Sequence, residues 1–78
     1  MTQLSSIKDL GTAVRAARKA MHLRQAEAAS LCNVGARFLS DLENGKDTVR
    51  LGTALKVITG LGLALSIGAK QPSWKRNG

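Results

Sequence analysis

A single cysteine, Cys32, is the feature that most limits how this chain of 78 residues can fold. A domain of this size buries only about 60% of the surface that its unfolded chain exposes, and such domains usually depend on disulfides, a metal ion or a partner chain. One thiol cannot form an intramolecular disulfide, and Cys32 with the single, distant His22 supports neither a zinc cluster nor a Cys-His nucleophile. We therefore expect a non-enzymatic domain with no metal and no cofactor, which gains stability by oligomerisation.

The chain is strongly basic, with 12 Lys and Arg against 5 Asp and Glu and a net charge of +7 at neutral pH. Such a charge favours polyanionic partners. The longest nearly apolar stretch, residues 57–69, is shorter than the roughly 20 residues of a membrane-spanning helix, and no secretory signal pattern opens the sequence. We therefore expect a cytoplasmic protein, associated with the nucleoid if its partner is DNA, and no membrane partner.

Apolar residues at steps of three and four predict four helices. The first covers residues 7–21, two short helices cover residues 25–32 and 36–43, and the fourth covers residues 51–61 with Gly62 as its terminator. The side chains expected to point into the core are Ile7, Leu10, Val14, Ala17, Met21, Ala26, Ala29, Cys32, Phe38, Leu39, Leu42, Leu51, Leu55, Ile58 and Leu61.

Residues 63–67 have the period of a β-strand, because Leu63, Leu65 and Ile67 alternate with smaller residues. No other segment of the sequence has this pattern. A single strand leaves its backbone groups unpaired, so we expect it to pair with the same strand of a second copy in a homodimer.

The end of the sequence, residues 70–78, shows no periodicity and is expected to be a flexible basic tail beyond a domain of residues 1–69. Trp74 has no core to join within this tail. We consider two roles for it: an anchor in the pocket of a partner, or a terminus without a particular function.

Residues 23–46, LRQAEAASLCNVGARFLSDLENGK, combine two short helices with a tight turn at Asn33 and small residues where the helices cross. This layout is what places one helix in a DNA major groove. The segment resembles the helix-turn-helix of the Xre family, which includes the phage lambda-type repressors. The shared points are QAE, Ala29, the turn and LENGK. The resemblance implies a mainly α, lambda-repressor-like domain of four to five helices with a C-terminal strand that pairs across a homodimer.

Residues 45–67, GKDTVRLGTALKVITGLGLALSI, are similar to the HipB-type antitoxins of that family. This resemblance implies a repressor of its own operon that binds a palindromic operator and a HipA-type kinase toxin. A free-standing regulator without a toxin is the alternative, and a cationic membrane-surface peptide is a remote one. The sequence departs from the family pattern at four positions. Arg24 and Gly35 replace the usual Ser or Thr caps, Ala28 replaces a Leu, and Asn33 replaces a Gly.

Base contacts are expected from the exposed side of the second short helix. Arg37 lies in its first turn, where a guanidinium can bind guanine O6 and N7 together. Ala36 can touch a thymine methyl, and Ser40 can bond to a base or to a phosphate. Asp41 either accepts a hydrogen bond from cytosine N4 or orients Arg37 four residues earlier, and we favour the pairing.

Phosphate contacts are expected around this helix. Gln25 matches the family residue that clamps a phosphate and supports the recognition helix, while Asn44, Lys46 and Arg50 would position the protein without specifying sequence. The complete set of candidate DNA-binding residues is Arg24, Gln25, Gly35, Ala36, Arg37, Ser40, Asp41, Asn44, Lys46 and Arg50.

Other charged residues are expected to be structural or solvated. Glu43 follows the inward-pointing Leu42 and is predicted to be a structural ion-pair partner instead of a base reader. The basic face of the first helix is predicted to be solvated surface and comprises Lys8, Arg15, Arg18, Lys19 and His22.

Overall fold

The computed structural model describes residues 4–68 and forms four helices within that range. They are α1 (Ile7–Ala20), α2 (Gln25–Cys32), α3 (Ala36–Glu43) and α4 (Leu51–Gly60). The predicted limits of the two short helices are confirmed, and α1 and α4 each end one residue earlier than expected. Within the described residues no helix has the length and apolar character that a membrane span requires.

Residues in the left-handed region of backbone conformation follow all four helices. After α1 this residue is His22, with φ 59°, and after the other three helices it is Asn or Gly. Asn33 follows α2 with φ 57° and ψ 48°, and the next amide, of Val34, donates to the carbonyl of Ala29 at 2.9 Å. Gly45 follows the end of α3 and Gly62 the end of α4, both with φ of 74°. Since Asn and Gly tolerate this conformation best, the chain turns where the sequence predicts that it turns.

All four helices contribute to one apolar core. Leu39 and Leu42 of α3, Val14 of α1 and Val57 of α4 have no solvent exposure. Phe38 is half-buried and packs against this core, as its spacing predicts. The other buried hydrophobic residues are Leu10, Ala28, Ala29, Cys32, Ala54, Ile58 and Leu61.

The predicted inward faces of α2 and α4 are partly wrong. In α4 the buried residues are Ala54, Val57 and Ile58, whereas Leu51 and Leu55 are exposed by 64% and 41%. Both sets have helical spacing, and α4 approaches α2 so closely that the smaller residues fit: a Cβ on Gly60 would lie 2.6 Å from Cys32 Sγ. Two further residues that were expected to be buried, Met21 and Ala26, are also exposed.

Residues 63–68 form neither helix nor strand in the described chain. Leu63 packs against the core, but Leu65 is 41% exposed and Ile67 is 95% exposed. A strand requires a neighbour for its hydrogen bonds. The pairing between two copies therefore stays a prediction, and the expectations for residues 70–78 and Trp74 lie outside the described residues.

Helix α1 crosses the C-terminal end of α3 at Gly11. A Cβ built on Gly11 would collide with the carbonyl oxygen of Leu42 and would lie 2.7 Å from that of Glu43. These backbone atoms cannot move aside as a flexible side chain can. The crossing therefore requires glycine at this position.

We predict that Gly11→Ala destabilises the protein by about 1–3 kcal/mol, because overpacking against the backbone of α3 exceeds the gain in helix propensity. Gly52→Ala is the matched control. A Cβ on Gly52 meets nothing within 4 Å, so this change should stabilise α4 by up to about 1 kcal/mol. Urea denaturation of both variants measures the difference. Equal effects of the two substitutions would contradict the close crossing.

Candidate nucleic-acid interface

One side of α3 lies in the core and the other is free. Leu39 and Leu42 are fully buried, whereas Arg37 and Asn44 are exposed and Ser40 is half-exposed. Arg37, Ser40 and Asn44 are three and four residues apart and therefore share one side of the helix. Ala36, also exposed, precedes them at the N-terminus of α3. The structure thus places the predicted base readers on one accessible surface, which we call the exposed side of α3.

The N-terminus of α3 is open. Gly35 is its N-cap, with an extended backbone (φ −72°, ψ 146°) and no side chain to accept from the first amides of the helix. A Cβ on Gly35 would meet nothing within 4 Å, so no neighbouring element covers this end. The first N–H groups of α3 can therefore donate to an outside acceptor.

The N-terminus of α2 uses a different cap from the usual serine or threonine. Arg24 is the N-cap residue and cannot accept a hydrogen bond through its side chain. Its backbone N–H donates instead to Glu27 Oε1 at 2.8 Å, three residues into the helix. The exposed side chain of Arg24 therefore takes no part in the cap.

A buried carboxylate joins the first three helices. The side chain of Glu43, at the end of α3, has no solvent exposure. Arg18 of α1 donates to both of its oxygens, at 2.6 Å and 2.9 Å, and also to the carbonyl of Leu23 at 2.9 Å. Gln25 Nε2, at the start of α2, donates to Glu43 Oε1 at 3.1 Å, and Arg15 Nε approaches the same oxygen at 3.3 Å.

This arrangement confirms the structural ion-pair role of Glu43 and corrects the expectation for Arg18. Arg18 was assigned to a solvated basic face, but its residue is only 9% exposed because its guanidinium turns inward to Glu43. The spacing of α1 carries the missed signal. Gly11, Arg15 and Arg18 lie four and three residues apart, so the face that crosses α3 closely also carries the two arginines.

The environment of Glu43 favours its charged form. Burial by itself raises the pKa of this carboxyl, but the hydrogen bonds from Arg18, Gln25 and Arg15 outweigh it, and the pKa lies below its ordinary value of 4.5. The hydrogen bond to Glu43 likewise raises the pKa of Arg18. Glu43 therefore contributes stability above pH 4.5, and this contribution is lost as the pH falls through the lowered pKa.

The preferred role for Asp41 is wrong. Asp41 Oδ2 lies 3.8 Å from Lys46 Nζ, and the Lys46 amide donates to the Asp41 carbonyl at 3.0 Å, so the loop after α3 folds back over this residue. Arg37 has no ion-pair partner among residues 4–68. The guanidinium is therefore available for contacts outside the chain, and a direct base contact by Asp41 stays a prediction.

The remaining candidates surround the C-terminal end of α3. Asn44, Lys46 and Arg50 are exposed, and Arg50 is the N-cap of α4. Asn44 Oδ1 accepts a hydrogen bond from Arg15 Nη2 at 3.1 Å. Gln25 contacts Glu43 and Lys46 approaches Asp41, so amide and cationic groups border the C-terminal end of α3. Arg15, predicted from the sequence to be solvated surface, also belongs to this border because it contacts Glu43 and Asn44.

Comparison with known proteins agrees with this geometry. A family model described as Helix-turn-helix (HTH_3) matches residues 14–67. The chain is 46% identical over 59 residues to y4mF, an uncharacterised HTH-type transcriptional regulator of Sinorhizobium fredii, covering 76% of this chain and 78% of that protein. Two solved structures, the HipA-HipB-O2-O3 complex and the HipB-O4 20mer complex, contain a similar fold. Each is 22% identical with a TM-score of 0.81, covering 91% of this chain and 100% of its own.

We predict that Glu43→Gln lowers the free energy of unfolding by about 3 kcal/mol at neutral pH, because it leaves the buried Arg18 without a counter-ion. Asp41→Asn is the matched control on the same helix. Its pair with Lys46 is long and partly solvated, so its loss should cost less than about 1 kcal/mol. Chemical denaturation of the two variants tests the difference.

The pH dependence provides a second check on the same variants. Because the native pKa of Glu43 is lowered, the stability gap between the native sequence and Glu43→Gln should narrow as the pH falls below 4.5. A gap that is constant over this range would show that the charge of Glu43 does not stabilise the fold.

Proposed function

Because the chain belongs to the Xre-type helix-turn-helix family of transcriptional regulators, we propose that it is a homodimeric repressor that inserts α3 into the major groove of a palindromic operator. One observation carries this proposal: α3 keeps one side in the core while Arg37, Ser40 and Asn44 face outward. The net charge of +7 supports a polyanionic partner. Such a protein works in the cytoplasm, on the nucleoid.

The proposed base readers are at the N-terminal half of α3, which is the part of a recognition helix that contacts base edges. Arg37, with no ion-pair partner among residues 4–68, binds guanine O6 and N7 as a fork. Ala36 contacts a thymine methyl and Ser40 a base or phosphate. Asp41 accepts a hydrogen bond from cytosine N4, and its ion pair with Lys46 weakens this contact.

The proposed phosphate ligands surround these readers. Gln25 and the open helix N-termini after Arg24 and Gly35 favour an anion, because their first N–H groups have no partner within the helix. Asn44, Lys46 and Arg50 extend the contact to the loop after α3. These groups fix the position of α3 on the duplex and carry no base specificity.

The proposed homodimer forms through residues 63–67. A cavity lies between this segment, the start of α1 at Leu10 and Ala13, and Ile58 of α4, and its walls are apolar. Leu65 and Ile67 are exposed beside it. Pairing of this segment with its copy would satisfy the backbone groups of both strands and cover these side chains, which is the support for the predicted strand at Leu63, Leu65 and Ile67.

The proposed physiological role is that of an antitoxin that represses its own operon. The support is the likeness in fold to HipB in a HipA-HipB complex with O2-O3. The partner would be a HipA-type kinase toxin, and Trp74 in the basic tail is the proposed anchor. A regulator without a toxin is the alternative. Co-purification from the native operon, followed by footprinting of the upstream DNA, distinguishes them.

We predict that Arg37→Ala weakens operator binding by about 1–3 kcal/mol and relaxes the choice of base at one position in each half-site. Lys46→Ala should instead weaken binding to operator and random DNA alike and reduce the salt slope by about one. A panel of base-substituted operators measures both. An equal loss on every sequence for Arg37→Ala would make Arg37 a phosphate ligand.

We predict that ending the chain at Gly62 produces a monomer that loses most operator affinity. A palindromic operator presents half-sites about 34–36 Å apart, and a monomer can occupy only one of them. Binding to random DNA should fall much less. Sedimentation at micromolar concentration measures the first result and a salt-matched titration the second.

Two point variants separate loss of the dimer from loss of the fold. Ile67→Asp changes a side chain that is 95% exposed in one copy, so it should dissociate the dimer without affecting the monomer. Ser66→Asp, at the neighbouring exposed position on the opposite strand face, is the matched control. A tight dimer in the truncated chain and in Ile67→Asp would place the interface on the helices.

A further inference from the structure

The charges around Glu43 do not balance. Arg18 alone neutralises this carboxylate, since it donates to both oxygens at 2.6 Å and 2.9 Å and is almost completely buried. Arg15 contacts Glu43 with one nitrogen at 3.3 Å, and its side chain is 43% exposed. The three groups therefore carry a net charge of +1, and the part of that charge nearest to solvent is the guanidinium of Arg15.

The hydrogen bond from Arg15 also determines how Asn44 presents its amide. An arginine can only donate, so the oxygen of the Asn44 amide must face Arg15 Nη2, at 3.1 Å. The NH₂ group of Asn44, with its two donors, consequently faces away from Arg15. At this point the exposed side of α3 offers N–H donors and a positive charge but no free carboxylate, because Glu43 is buried.

The third side of this junction is the start of α2. Gln25 donates to the same oxygen, Glu43 Oε1, that Arg15 approaches, so both side chains lie within one hydrogen bond of a common atom. Arg15 therefore stands between Asn44, at the end of α3, and Gln25, at the start of α2.

We propose that Arg15 is a DNA-binding residue that contacts a backbone phosphate at the junction of α1, α2 and α3. This inference rests on the proposed DNA-binding function and adds α1 to an interface otherwise made by α2, α3 and the following loop. The ligand is a phosphodiester and not a base, because the junction lies at the C-terminal end of α3, whereas base edges meet the N-terminal part of a recognition helix. The hydrogen bond from Arg15 to Glu43 holds the guanidinium of Arg15 in position for this contact.

The test measures the affinity of the full chain for a random-sequence duplex at several salt concentrations between about 50 mM and 200 mM. Loss of one phosphate ligand lowers the salt slope by about one, so the deficit of Arg15→Gln should shrink about three- to fourfold across this range. Lys56→Gln is the matched control. Lys56 is exposed on α4 and lies near Leu31, at the C-terminal end of α2. Because this position is away from the junction, the loss of its charge should leave the slope unchanged.

One more variant separates phosphate binding from support of Glu43. Arg15→Lys retains the charge and should retain the slope. Thermal unfolding of each variant verifies that the variant is folded at the temperature of the binding titration.

The outcomes are distinct. A lower affinity of Arg15→Gln with an unchanged salt slope would mean that Arg15 only supports Glu43, and would overturn this assignment while leaving the proposed function intact. If the native chain does not bind the duplex at any of these salt concentrations, the proposed function itself is overturned.

Discussion

The position of α3 depends on one buried carboxylate. Glu43 has no solvent exposure, and its hydrogen-bond donors come from α1 and α2 and not from its own helix. A buried carboxylate without partners costs several kcal/mol, so α3 can pack with this end inward only when Arg18 and Gln25 are in place. The apolar core holds α3 against the domain, but this polar contact fixes its direction. The direction in which Arg37 points follows from it.

The carboxylate can be reached because two helices approach closely. Without a Cβ at Gly11, α1 touches the last two carbonyl groups of α3, and Arg15 and Arg18 follow on the same face of α1. A larger residue would lift α1 and move both guanidiniums away from Glu43. The close crossing and the ion cluster therefore depend on each other. The backbone contact sets the distance between α1 and α3, and the ion pairs set the position of α1 along α3.

The sequence predicts the helices well because their ends are marked locally. Asn33, Gly45 and Gly62 adopt the left-handed conformation at the expected positions, and the small residues of α2 mark a close crossing. The buried face of α4 could be predicted only in part. Ile58 and Leu61 are buried as expected, but Leu51 with Leu55 and Ala54 with Val57 fit the same period. The choice between them depends on the distance to Cys32, which only the packed structure specifies.

The predictions for the candidate site also divide into those that the position on a helix supports and those that depend on the partner of a charged side chain. Arg37 and Ser40 were assigned from their place on a helix, and the structure exposes that side. The prediction for Arg18 is wrong because a tertiary contact decides its partner, and the prediction for Asp41 is wrong because the turn that ends α3 brings Lys46 to it. Arg18 lies 25 residues from Glu43 in the chain, and Asp41 pairs with Lys46 because the loop after α3 folds back. No local pattern marks the contact between Arg18 and Glu43, whereas Gly45 marks the turn that brings Lys46 to Asp41.

Helix α1 also shows how the proposed DNA-binding surface and the proposed dimer surface can coexist on one small domain. Its face with Gly11, Arg15 and Arg18 meets α3, whereas Leu10 and Ala13, directed away from that face, line the cavity beside residues 63–65. The two surfaces lie on different sides of one helix, so covering one does not cover the other. An α3 of eight residues is only about 12 Å long and reads few base pairs. A dimer built through residues 63–67 would leave both copies of α3 free, and it would supply the second half-site that one such helix requires.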